Sequence, residues 1–284
     1  MKKKRILVLG SSGQIGKYLC DYLEERNYTV KKLDIENNKK HDLRIQNNNL
    51  LLRYIRSSDY VFFLAFDVGG SRYLKKFQNH YKFLNNNLKI MANTFDLLSK
   101  SKKKFLFASS QMSNMSHSNY GLLKLVGERV TMSLNCNFVK FWNVYGIEKD
   151  LKKSHVITDF VRMAIKKKKI NMITDGNESR EFLHARDCCE GLEIIMNRHK
   201  DFSKKKTELH LSTGKKIKIY SIAKIVKKIA LNKNISVKIY KGKLKDNVQF
   251  NKKNKINKFL FKFWKPKVDI ETGIKEVFNF NLSN

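Results

Sequence analysis

Arg5-Ile-Leu-Val-Leu-Gly10-Ser-Ser-Gly13-Gln-Ile-Gly16 opens the chain with an apolar run, a glycine turn and the start of a helical pattern. Four consecutive apolar residues, Ile6 to Leu9, suit a short strand covered on both faces. Beyond the turn, Ile15, Leu19 and Leu23 recur at four-residue spacing, which gives one buried stripe on a helix over 13–26. A strand, a glycine turn and a helix in that order form a phosphate-binding arrangement. Glycine lets the backbone come close to a pyrophosphate, and the helix N-terminus supplies N–H donors and positive partial charge. Gly10, Gly13 and Gly16, with Gln14 and Ile15 between the last two, are therefore candidate cofactor contacts. Asp34 stands at the end of a second strand predicted over 29–33. A carboxylate there accepts hydrogen bonds from the adenosine ribose and repels a 2′-phosphate, so the expected cofactor is NAD rather than NADP, even with Lys31 and Lys32 beside it.

Further along, strands are predicted at 60–64, 105–108 and 138–141, with helices near 77–99 and 119–134. Strands alternating with helices imply βαβ units: an α/β fold whose Rossmann-type parallel sheet is covered by helices on both faces. The C-terminal half is less regular. It holds an amphipathic helix over 218–230 and a polar, lysine-rich stretch over 241–258 that reads as loop. The expected division is an NAD-binding lobe from 1–149 and 181–213, and a smaller substrate-binding lobe from 150–180 and 214–284.

The bulk composition bounds the rest. A chain of 284 residues with 42% hydrophobic content buries a substantial core. The basic-then-apolar start mimics a signal peptide, but its apolar part ends at Leu9, so a cytoplasmic protein is expected, without a membrane partner. The four cysteines, Cys20, Cys136, Cys188 and Cys189, form no C-x-x-C pair, which argues against a metal site or a disulfide framework. The formal net charge is +34. Abundant Lys, Asn, Ile and Phe with one proline match AT-rich codon usage, and the lysines are spread along the chain. The charge would still help to attract a diphosphate.

Tyr120-Gly-Leu-Leu-Lys124 places a phenol and an ammonium on one helix face. A free tyrosine ionises near pH ~10, so holding it ionised near neutrality costs on the order of 4 kcal/mol, which a neighbouring cation helps to offset. Ser109-Ser110 closes the preceding strand and can supply a hydroxyl partner.

Taken in order, Gly10–Gly16, Asp34, Leu64-Ala65, Asn87, Ser109-Ser110, Tyr120/Lys124, Asn143-Val-Tyr-Gly146 and Arg180-Glu-Phe resemble the NAD-dependent epimerase/dehydratase family, the extended short-chain dehydrogenases that modify nucleotide sugars. The tail Trp264-Lys-Pro266-Lys-Val-Asp-Ile-Glu-Thr-Gly273 is similar to that family's closing motif. The resemblance implies roles. Tyr120 is the base, Lys124 binds the nicotinamide ribose and tunes it, and Ser110 bonds the reacting oxygen. Asp42, followed by Leu43, matches the position at the adenine edge, and Leu64, Ala65, Asn87 and Ser109 belong to the cofactor wall. Asn143 and Arg180 would hold the nucleotide diphosphate, and His155 and Val156 would line the nucleotide pocket. Val68-Gly69-Gly70 resembles a stretch found in GDP-sugar members.

Two departures shape the expected reaction. Only ten positions separate Ser110 from Tyr120, so the loop that covers the sugar is trimmed. Ser110 is followed by Gln111 and Met112, where the family's dehydratases, decarboxylases and 3,5-epimerases carry proton-transferring side chains. Methionine moves no proton. What remains is oxidation and reduction at one carbon: a 4-epimerase working through a transient keto sugar, or a 4-keto-sugar reductase, in sugar-nucleotide or surface-polysaccharide biosynthesis. Apolar residues on more than one side of helix 119–134 imply a homodimer formed with helix 77–99. A nucleic-acid-associated protein is the competing reading of the charge. The intact set of Ser110, Tyr120 and Lys124 argues against it.

Overall fold

The computed structural model describes residues 3–205, 207–246, 249 and 254–284. Six strands form a sheet in the order β2-β1-β3-β4-β5-β9: Thr29–Leu33, Arg5–Leu9, Tyr60–Phe63, Phe105–Ser110, Asn137–Phe141 and Leu209–Leu211. Every neighbouring pair is parallel. Alternation along the strands divides the core into two layers. Ile6, Val8, Tyr60, Phe62, Leu106 and Val139 face α1 (Gln14–Glu25) and α7 (Ala185–Asn197). Leu7, Leu9, Val61, Phe63, Phe105 and Phe107 face α2 (Asn49–Ser57), α4 (Tyr81–Lys100) and α5 (Asn119–Ser133). With both faces covered, the central strands β1, β3 and β4 read as the apolar runs seen in the sequence, whereas the edge strand β2 is mostly exposed.

Strand order reverses beside β1, since β2 lies on one side and β3 on the other. The crossovers diverge there and leave a crevice at the carboxyl ends of the strands. The glycine turn fills that position. Gly10 has φ +85°, and a Cβ on it would stand 2.7 Å from the Ala65 backbone, so no other residue fits without displacement.

A third core gathers α6 (Val156–Lys167), α9 (Ile219–Leu231) and α10 (Ile270–Ser283) around Ile157, Phe160, Ile222, Val226, Ile274 and Phe278. Two small sheets accompany it: β10-β8-β6 (Lys216–Lys218, Ser179–His184, Asn143–Tyr145) and β11-β7 (Lys238–Tyr240, Lys169–Asn171). The chain crosses back once more. Leu260 and Trp264 pack into the first core beside α7, although 214–284 was expected to serve the smaller lobe.

The helix expected over 77–99 is α4, which starts at Tyr81; a separate helix, α3 (Ser71–Phe77), precedes it across a break at 78–80. The break has a use. Gln78 Oε1 accepts from the Ser118 hydroxyl at 2.9 Å and from the Tyr120 N–H at 3.4 Å, which anchors the start of α5. Of the stretch read as loop, 247, 248 and 250–253 lie outside the described residues; the remainder includes β11's neighbour Leu244, bridged to Thr174. No helix among the described residues is long and apolar enough to cross a membrane.

Candidate active site

A cleft of about 1060 Å³ runs along the carboxyl ends of the strands. Gly10, Gly13, Gln14, Ile15, Gly16, Asp34, Asp42, Leu43, Leu64, Ala65, Ser109, Ser110, Tyr120, Lys124 and His155 all line it. Local geometry brings them there. Asp34 accepts from the Ser12 N–H at 2.9 Å and the Glu36 N–H at 3.0 Å, so it braces the glycine turn from beneath. Asp42 accepts a forked bond from Arg44, at 2.9 Å from Nε and 2.8 Å from Nη2, and that pairing holds its carboxyl below the usual range.

Four expected contacts fall elsewhere. Asn87 lies behind the cleft wall: its amide oxygen accepts from the Asp67 N–H at 2.7 Å, and its NH₂ donates to the carbonyls of Asp67 and Phe83 at 3.1 Å each. It holds the wall by its backbone and has no donor or acceptor turned outward. Asn143 begins β6 opposite Phe182, and Val156 begins α6; neither lines the cleft. Arg180 is also outside it, with Nη1 donating to the Ser179 carbonyl at 2.8 Å and the guanidinium paired with Asp246.

At the centre, Ser110, Tyr120 and Lys124 converge. The Ser118 hydroxyl accepts from the Gly121 N–H at 3.1 Å and caps the helix that carries the tyrosine. Burial pushes the Tyr120 phenol up to about 12, and a hydrogen bond from Ser110 works in the opposite direction. Burial also pulls the Lys124 ammonium down to about 7, opposed by the charge of Glu128. Lys124 Nζ donates to the Ala108 carbonyl at 2.7 Å and lies 3.6 Å from the centre of the Phe66 ring. The phenol meets the same ring edge to face, at 5.8 Å between centroids. Desolvation therefore raises both groups in energy when charged, and each stands to gain from a partner that enters the cleft.

The glycine turn is likewise incomplete. Ser11 Oγ and Gln14 Nε2 are buried with no hydrogen-bond partner among the described residues. Together with a backbone that a Cβ would obstruct, these orphaned atoms fit a dinucleotide pyrophosphate laid along the turn. Asp34 and Asp42 line the same cleft as the turn, and so do Ser110, Tyr120 and Lys124.

Several site residues escaped the sequence reading. Glu148 accepts from His155 at its backbone N–H (3.0 Å) and its ring Nδ1 (2.5 Å). Burial disfavours the histidine's charge, but the bond and charge of Glu148 outweigh it and raise the pKa. The pair can hold a proton at the cleft wall. Glu148 sits in an aperiodic loop, so no pattern marks it. Glu128 had a signal: Tyr120, Lys124 and Glu128 follow at four-residue spacing on the inward face of one helix. Glu128 takes the Ser109 hydroxyl and the ammonium of Lys140 at 3.5 Å, and Lys140 also reaches Glu208 at 2.9 Å.

A glycine turn at the strand-order reversal, with a tyrosine, a lysine and a serine facing it across one cleft, defines a nucleotide-cofactor enzyme of the short-chain dehydrogenase type. A profile of the NAD dependent epimerase/dehydratase family matches residues 6–208, and the chain belongs to that family; its cofactor is NAD. Its similarities extend over nearly the full length. It is 24% identical to a putative UDP-glucose 4-epimerase of Methanocaldococcus jannaschii, covering 98% of this chain and 99% of that one. In fold it is similar to the epimerase Mth375 of Methanothermobacter thermautotrophicus, with a TM-score of 0.82, 19% identity, and coverage of 98% and 92%. It is similar as well to a GDP-6-OMe-4-keto-L-xylo-heptose reductase from C. jejuni, with a TM-score of 0.81, 19% identity, and coverage of 99% and 98%.

Proposed function

We propose that the protein is a nucleotide-sugar 4-epimerase acting through a transient 4-keto sugar. The observation that carries this reading is the convergence of Ser110, Tyr120 and Lys124 on one cleft with the glycine turn. NAD, when bound, supplies the acceptor and donor of the hydride. Tyr120 takes the proton of the sugar's C4 hydroxyl as that carbon is oxidised to the ketone, and returns it when the ketone is reduced from its other face. Ser110 bonds the same oxygen, and Lys124, once charged, favours the ionised phenol. Met112, two positions after Ser110, transfers no proton, which supports chemistry at the one carbon.

The substrate's diphosphate would displace Asp246 from Arg180 and draw on Asn143, with His155 and Val156 at the nucleotide. In this reading 1–149 and 181–213, joined by the segment around Leu260 and Trp264, form the NAD-binding lobe, the rest of 150–180 and 214–284 forms the substrate lobe, and the protein works in the cytoplasm in sugar-nucleotide or surface-polysaccharide synthesis. Exposed Tyr81, Leu88, Leu122 and Val126 on α4 and α5 support a homodimer through those helices. Light scattering at micromolar concentration should then give twice the chain mass.

A second reading, a 4-keto-sugar reductase, is favoured by the Glu148–His155 pair, which can deliver a proton without Tyr120. A screen of UDP- and GDP-sugars separates the two. An epimerase converts the sugar with no net change in NADH absorbance, whereas a reductase consumes NADH in proportion to product. If no nucleotide sugar is converted and tight, salt-resistant RNA binding appears, both readings fail.

A further inference from the structure

Asp67 is a carboxylate on the cleft wall with no task in the chemistry above. It follows Phe66, the residue whose ring covers Lys124, and its own N–H and C=O are both gripped by Asn87. Three elements converge on its side chain. The Tyr73 phenol donates from α3 at 2.6 Å, the Asn86 amide from α4 at 3.1 Å, and the Lys153 ammonium from the loop over 146–155 at 3.4 Å.

The bonds continue in both directions. Asn86 Oδ1 accepts from Arg44 Nη1 at 3.1 Å, and Arg44 holds Asp42 at the adenosine end of the cleft. On the other side, the Gly70 N–H donates to the Lys153 carbonyl at 2.9 Å, which ties the segment after Asp67 to the same loop. That loop carries Glu148 and ends at His155. Polar contacts thus run from Asp42 through Arg44, Asn86 and Asp67 to Lys153, and all five residues line one cleft.

A partly buried carboxylate with three separate donors is a poor way to gain stability, because apolar side chains of similar volume would do as well. It is a good way to fix the relative position of the elements that supply the donors. We propose that Asp67 is a positioning residue that transmits occupancy of the adenosine pocket to the 146–155 loop, so that NAD in place sets His155 for the second substrate. This rests on the reading of the cleft as a site for NAD and a nucleotide sugar. NAD that engages Asp42 restrains Arg44 and Asn86, and the Asp67 carboxylate carries that restraint on to Lys153 in the loop.

Hydrogen exchange read by mass spectrometry on the full chain, with NAD⁺ as the probe, tests this. In the wild type, saturating NAD⁺ slows exchange across 147–155 by about fivefold or more. Asp67→Ala binds NAD⁺ with a Kd within about threefold of wild type, yet its loop exchanges about tenfold faster and no longer responds to NAD⁺. Asp67→Asn, which still accepts from Tyr73 but loses the charge facing Lys153, recovers part of the response. Lys153→Met cuts the same link from the loop side and reproduces the loss, should Asp67→Ala fold poorly. Lys152→Met, an exposed neighbour, behaves as wild type.

Retention of NAD⁺-dependent protection in both Asp67→Ala and Lys153→Met overturns the proposal, as does a wild-type loop that ignores bound NAD⁺. Absence of NAD⁺ binding to the wild type sinks the proposal together with the cofactor assignment. Normal NAD⁺ coupling without conversion of any nucleotide sugar fails only the functional reading.

Discussion

The two ends of the parallel sheet treat buried polar groups in opposite ways. At the amino ends of the strands the buried groups around His199 are satisfied, with Ser101 Oγ before β4 an exception among the described residues. His199 Nδ1 accepts from the Tyr60 phenol and the Asn137 amide, each at 3.1 Å, and the buried Ser58 hydroxyl donates to the Ile55 carbonyl at 2.9 Å. At the carboxyl ends they are left incomplete. Ser11 Oγ and Gln14 Nε2 have no partner among the described residues, Tyr120 is held far above neutrality by burial, and Lys124 is pulled down to about 7. Burying polar groups this way costs stability, and the cost persists only where a ligand or a reaction uses them. The same backbone architecture therefore has a sealed end and a waiting end, and substitutions should sort accordingly.

The sharpest contrast is expected from Tyr120→Phe. Removing the hydroxyl should lower turnover of the sugar nucleotide found by the screen by about 10³-fold, roughly 4 kcal/mol of barrier. The urea midpoint should stay unchanged or rise, because a desolvated polar group is lost. NAD⁺ affinity should remain within about twofold. A variant that keeps full activity would remove Tyr120 from the chemistry and with it the idea that the carboxyl end is incomplete for a reason.

Lys140 sits between the two regimes. It is fully buried, near the carboxyl end of β5, yet it faces Glu128 and Glu208 and donates to Asn114 Oδ1 at 3.0 Å. It is thus a sealed group only a few residues from a waiting one. Lys140→Met should destabilise the fold by about 3 kcal/mol, since Glu128 keeps its burial and loses its counter-charge. Adding Glu128→Gln should restore most of that loss, read as the recovery of the urea midpoint in the double variant. If Lys140→Met instead changed activity with no change in stability, the network would belong to the cleft and the contrast would blur.

The waiting end was the more legible in the sequence, for a physical reason. Gly10, Gly13, Gly16 and Asp34 act through local backbone geometry, and Tyr120 and Lys124 through helical spacing; both leave a signature within a few residues. The Rossmann sheet was readable because strands buried on both faces are unbroken apolar runs. Contacts that depend on how distant loops meet left no such mark. Asn87 read as a cofactor contact, but its amide is consumed in fixing the Asp67 backbone. Arg180 read as a diphosphate ligand, but a carboxylate from the stretch read as loop is paired with it. Glu148, Asp67 and Lys153 come together only because two aperiodic segments, 64–70 and 146–155, close on one cleft. The amino end was barely legible at all: His199 opens a helix, α8 (His199–Lys205), and nothing in its neighbours announces the Tyr60 phenol or the Asn137 amide.

That same histidine supplies the smallest test. Burial, reinforced by the charges of Lys104 and Lys4, pulls His199 down to about 4 from an ordinary value near 6.5. In the fold it is neutral, and its Nδ1 lone pair is used by two donors. Between about pH 6.5 and pH 4 the unfolded chain therefore binds a proton that the folded chain does not. Stability contributed by the neutral ring is fully present above the upper limit and is lost as the pH falls through that window, at up to about 1.4 kcal/mol per pH unit. His199→Gln keeps an acceptor for Tyr60 and Asn137 but cannot titrate. Its urea midpoint should fall less steeply than that of the wild type between pH 6.5 and 4.5, while both proteins bind NAD⁺ equally at pH 7.5. Parallel pH dependences would show that the ring is not held neutral, and that the amino end of the sheet is less completely sealed than its hydrogen bonds indicate.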